Sequence, residues 1–175
     1  MKAKKNILLK IFAFILLVLT ILTGCSGAIM SVKNTVNNFS KLLEVGNLEN
    51  LTLTIYYVDP HFITRIPLSA DSLIRMAEAD KIIVHGNVLG EHIDLLKQLN
   101  VEILIPAEHD SVLNARLVYT FEWDDDILTV VMGIHDSVFI NGLEIESNAV
   151  FFDIIRPFLT EDSLEMLAIF FMQNI

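Results

Sequence analysis

The sequence predicts an α+β fold: a single domain with a largely antiparallel β-meander and covering helices, placed after an N-terminal signal segment. Three observations carry that reading. Residues 51–58 and 117–123 alternate apolar and polar side chains with a period of two, as half-buried strands do. Asn141-Gly142 lies between two short apolar runs, and both positions of such a turn want positive φ, which joins neighbouring strands antiparallel. Apolar residues at three- and four-residue spacing follow Ser69 and Thr160, whose hydroxyls suit the first position of a helix.

Taken in order, residues 25–46 read as a tether rich in Asn, yet Ile29, Val32, Val36, Phe39 and Leu43 share one helical face. A short amphipathic helix is expected there, packed on the domain or lying on a membrane. Residues 51–58 form a strand and Asp59-Pro60 a turn. Residues 62–68 resume an extended pattern, which predicts a hairpin ending at Pro67, because proline cannot donate to a ladder. A helix capped by Ser69 runs through Leu73, Ile74 and Ala77.

Residues 81–85 are a short apolar strand closed by Gly86-Asn87. Leu89, Ile93, Leu96 and Leu99 have helical spacing, and 101–105 read as a strand stopped by Pro106. This strand–helix–strand run predicts a parallel crossover pair. Residues 107–115 fit a loop or one helical turn. Residues 117–123 are a strand, Asp124-Asp125-Asp126 a turn, and 127–134 a strand apolar on both faces, as a central strand is. Residues 138–140 and 143–145 flank Asn141-Gly142. Asn148 caps a helix over 149–156, which Pro157 breaks, and Thr160 opens a last helix through Leu164, Leu167, Ile169 and Phe171.

The N-terminus has the plan of an export signal. Lys2, Lys4, Lys5 and Lys10 precede residues 11–22, which are apolar except for Thr20 and too short for an ordinary spanning helix of about 20 residues. Leu22-Thr23-Gly24-Cys25 then resembles the lipobox of bacterial lipoproteins. That resemblance implies a diacylglycerol on Cys25, cleavage just before it, and retention on the extracytoplasmic face of the cell membrane. Cys25 is the only cysteine, so no structural disulfide competes for it. Two or more acyl chains give stable attachment where one is marginal. The domains expected are a lipoprotein signal peptide over 1–24, a lipidated tether over 25–46 and a globular domain over 47–175. Residues 138–159, with Asn141-Gly142 and Arg156-Pro157-Phe158-Leu159, also resemble the tail of uncharacterised lipoproteins of Gram-positive bacteria, a likeness that brings no activity, cofactor or catalytic residue with it.

Residues 1–24 hold four lysines and no acid, so a chain starting at Cys25 carries eight basic and 22 acidic residues, a net charge of −14. Phosphate binding needs clustered Lys and Arg, so nucleic acid is not an expected partner. The acidic balance suits a solubility charge.

Chemistry-bearing residues are few and scattered. His85 and His92, with Glu91 between them, are the weak candidates for a metal, since His and carboxylates ligate divalent ions. No His-Glu-x-x-His or cysteine zinc pattern accompanies them, so neither a metal site nor a cofactor is expected. Glu108-His109-Asp110 and His135-Asp136 join acids to a base, but chain neighbours usually diverge, and solvated turns are the simpler reading. Asp124-Asp125-Asp126 lacks the spaced ligands and glycine of a calcium loop. No nucleophile elbow or phosphate-binding glycine loop occurs. Tyr56, Tyr57, Phe121 and Trp123 lie on strands and fit either core or one exposed binding face, with core the expectation. The function expected is a membrane-anchored, non-enzymatic binding or interaction module with an envelope protein as partner. The alternative is a small cell-envelope hydrolase or metal-dependent enzyme whose groups meet only in space.

Overall fold

The computed structural model describes residues 27–76, 78–108, 111–134 and 136–171. The expected signal peptide, Cys25, His109, Asp110 and His135 lie outside them. Six strands form one sheet: β1 Thr52–Tyr57, β2 Asp80–His85, β3 Ala115–Trp123, β4 Asp126–Gly133, β5 Val138–Ile140 and β6 Leu143–Ile145. Their order is β2-β1-β3-β4-β5-β6 and every neighbouring pair is antiparallel. Helices are α1 over 27–45, α2 Ala70–Ile74, α3 Gly86–Gly90, α4 Ile93–Leu96, α5 Val150–Asp153 and α6 Glu161–Phe171. The architecture is α+β, as the alternation and caps predict. Among the described residues no helix is long and apolar enough to cross a membrane.

The two faces of the sheet differ. One carries Leu53, Ile55, Tyr119, Phe121, Val130 and Ile140, which pack with residues of α1, α3, α4, α5 and α6 into the main core. Each fully buried large side chain contributes about 1.5–3 kcal/mol. Tyr119 illustrates how a polar tip is accommodated there. Its hydroxyl donates to the Phe151 carbonyl at 2.9 Å, tying β3 to α5, and burial pushes the phenol's pKa far up.

α1 belongs to this core. Val32, Val36, Phe39 and Leu43 are at most 3% exposed, and Phe39 stacks 4.7 Å from Phe121 and 5.4 Å from Trp123. The segment expected as a tether over 25–46 therefore contributes a core helix, and the packed body begins before residue 47. The stripe's spacing gives one continuous apolar seam, and the aromatic ends of β3 offer it a surface to cover.

Four other local expectations give way to long-range contacts. Residues 62–68 form no strand; the loop is irregular, and its backbone is held by the side chain of Arg116. Residues 101–105 are not a strand but a 3-10 turn, Val101–Ile103, followed by a bridge from Pro106 to Ile145 beside β6. There is thus no parallel crossover: β2 pairs with β1, antiparallel. Gly86 opens α3 rather than closing a turn, and its backbone lies against the Leu48 carbonyl where a Cβ would not fit. The helix expected over 149–156 is split into α5 and a 3-10 turn, Arg156–Phe158, that contains Pro157.

The turn chemistry follows the sequence closely. Ser69 Oγ accepts from the Ser72 amide and Thr160 Oγ1 from the Ser163 amide, capping α2 and α6. Asn141 and Gly142 take φ of 46° and 82°. The Asn141 side chain also accepts from the Thr129 amide at 2.8 Å, fixing the β5–β6 turn to β4.

Candidate functional site

The sheet's second face is covered only in part. Its upper row, Tyr56, Val118, Val131 and Phe139, lies under α2 and the loop before it, which contribute Leu68, Leu73 and Ile74 to a second small core. The next rows lie outside that core. In register across four strands run Ile83, Thr54, Thr120 and Thr129, and beside them His85, Thr52, Glu122 and Ile127. Ile83 and Ile127 are 50% and 55% exposed. Thr120 Oγ1 donates to Glu122 at 3.3 Å, and Thr52 Oγ1 lies 3.5 Å from His85 Nδ1. The period-two pattern of β1 and β3 sets this face, since one parity is apolar and packs in the main core while the other places Thr and Glu on the opposite side of the sheet. Thr54 and Thr120 are themselves buried and Thr52 and Thr129 half-buried, so the exposed side chains of these rows are Ile83, His85, Glu122 and Ile127, a surface suited to contact rather than to enclosing a substrate.

The aromatics take the core role. Tyr57, Phe121 and Trp123 are buried on the first face, and Tyr56 on the second lies beneath the Lys81 ammonium, 5.2 Å from its ring centre.

The histidines do not gather. His85 lines an open hollow of about 440 Å³ with Glu49, Asn87 and the glycines Gly46, Gly86 and Gly90. His92 is outside that lining and packs edge-on against Phe158, 5.2 Å between ring centres. The pair expected as weak metal candidates thus engages different neighbours, one on each side of α3. Among the described residues no group of three or more His, Cys, Asp or Glu is placed to hold a metal ion. Exposed His61 bonds Asp59 Oδ1 through its ring at 3.1 Å and its amide at 2.8 Å, and that amide, first among the causes, lowers the Asp59 pKa. The acids of the β3–β4 turn are tied down by amides: Asp124 accepts from Asn50 and Asp126 from Asn38.

Sequence reasoning missed Arg116, which is only 4% exposed. Its guanidinium donates to four oxygens: Pro60 O at 3.2 Å, Phe62 O at 3.1 Å, Asn114 Oδ1 at 2.7 Å and Ala115 O at 2.9 Å. None is a carboxylate, and desolvation lowers its pKa from the ordinary arginine value. This fork pins the loop whose tip displays Ile63, 93% exposed, and Ile66. A period-two strand pattern carries no signal that one outward charge will turn in to bind another segment's carbonyls. Comparison of the chain with protein-family models, with curated proteins and with solved structures returns no match.

Proposed function

We propose that this chain is a lipid-anchored protein of the extracytoplasmic membrane face that works as a non-enzymatic binding module. The single observation carrying the anchor is Leu22-Thr23-Gly24-Cys25 behind four lysines and a short apolar run. The binding role draws support from the side chains that the second sheet face exposes beyond α2, namely Ile83, His85, Glu122 and Ile127. The partner proposed is an envelope protein. Nucleic acid is disfavoured by the acidic charge, and no cofactor is assigned. The hydrolytic alternative has one observation in its favour, the shared hollow of His85 and Glu49.

The test is labelled-palmitate incorporation with membrane fractionation. Wild type should take up label and sediment with membranes. Cys25→Ala should take up none and accumulate as precursor, because only a thiol there can accept the diacylglyceryl group. An unlabelled wild type, or a mutant processed and labelled normally, defeats the anchor.

A further inference from the structure

The two edges of the sheet are finished differently. Beyond β6, residues 105–107 run alongside: Glu146 N donates to Ile105 O at 2.7 Å, Ala107 N to Glu144 O at 3.3 Å, and Pro106 bridges Ile145. Pro106 has no N–H to offer a further strand. β2 ends the sheet on the other side and pairs only with β1. Among the described residues no backbone hydrogen bond reaches its outer edge. β2 contains no proline, and its six residues pair with β1 without a bulge. Lys81, the one cation on it, leans over Tyr56 of β1. Edges of this kind usually carry a blunting device, since bare amides and carbonyls template another strand.

From this edge we infer that β2 pairs with β2 of a second copy of this chain, antiparallel, to make one continuous sheet across two molecules. The inference is independent of the lipid anchor. The strand is its own complement when Ile83 faces Ile83. Ile82 then meets Val84 and Lys81 meets His85, with every side chain kept on the face it occupies in its own sheet. The core faces of the two copies align, and the half-exposed Ile83 becomes the central contact. The register selects the occupant. β2 holds one acid and one lysine in a chain that is acidic overall, and this register sets no acid opposite an acid. Two acidic copies repel overall, and the strand with one acid and one lysine is where that repulsion is least.

Two Cα atoms facing each other in an antiparallel pair are about 4.5–5.5 Å apart, within disulfide reach. Ile83→Cys in the full chain, mildly oxidised in intact cells, should give a covalent dimer. Ile127→Cys, exposed on the same sheet face but three strands inward, and wild type, which reports on Cys25, should give no more than background. In detergent, sedimentation of wild type should show a reversible dimer that strengthens with added salt as the acidic bodies are screened. Ile83→Lys, with unchanged far-UV circular dichroism, should weaken it about tenfold or more. A wild type monomeric at every soluble concentration overturns the inference. So does equal cross-linking at residues 83 and 127, or a dimer indifferent to Ile83→Lys.

Discussion

Arg116→Met replaces a buried fork by an apolar side chain of similar length. Four acceptors lose their donor: Pro60 O, Phe62 O, Asn114 Oδ1 and Ala115 O. Hydrogen bonds to a charged group are each worth about 1.5–3 kcal/mol net. Asn114 Oδ1 still accepts from the Leu68 amide, and the two loop carbonyls, buried at Pro60 and part-buried at Phe62, regain some hydration when the loop lifts. Removing the desolvated charge returns part of the rest. The expected loss is about 3 kcal/mol, or a fall in Tm of roughly 6–12 °C for a domain of this size. The loop should also open locally, so trypsin should cut after Arg65 faster than in wild type under native conditions. Arg116→Lys should recover only a minor part, because a point ammonium cannot span Pro60 and Phe62 together. Urea denaturation with timed proteolysis measures both effects. A loss under about 1 kcal/mol together with unchanged cleavage at Arg65 would refute the clamp.

Two further substitutions test the packing and the turn. Gly86→Ala puts a Cβ onto the Leu48 carbonyl oxygen, so α3 or the 46–49 turn must shift; a loss of about 2–3 kcal/mol in urea is expected, and a change under about 0.5 kcal/mol would show that the approach is looser than drawn. Gly142→Val sets a β-branched residue at φ of 82° in the β5–β6 turn and should cost about 1 kcal/mol or more by thermal melting, whereas tolerance would mean that the hairpin register is wrong.

What the sequence reveals of this fold divides by the range of the forces involved. β1, β3, β4 and the Asn141-Gly142 hairpin are legible because period-two burial and positive φ are local demands, met at observed boundaries within a residue or two of those expected. The caps at Ser69 and Thr160 are legible for the same reason. The stripe from Val32 to Leu43 announces a helix, but only the aromatic end of β3 makes that helix part of the core. Residues 62–68 mislead because Phe62, Ile66 and Leu68 keep the parity of a strand while Phe62 and Ile66 stand exposed, and the Phe62 carbonyl is fixed by an arginine more than fifty residues away. Residues 101–105 mislead because a short run with four apolar residues around Glu102 serves a 3-10 turn and an edge cover as readily as a strand. Of the candidate site, the threonine parity was visible in β1 and β3, but that these rows lie outside the second core follows from α2 being too short to reach them.

That α1 is already helical at residue 27 has a mechanical consequence. Two residue steps separate Cys25 from Gly27, a contour of at most about 7 Å. With Cys25 acylated as proposed, the domain has almost no leash. It cannot search the space above the bilayer as a flexibly tethered module does, and a partner has to come down to it. The same shortness sets every copy at one height with little freedom to tumble. Encounters between copies then occur in a plane, where confinement raises the effective concentration of one edge strand for another without any added contact.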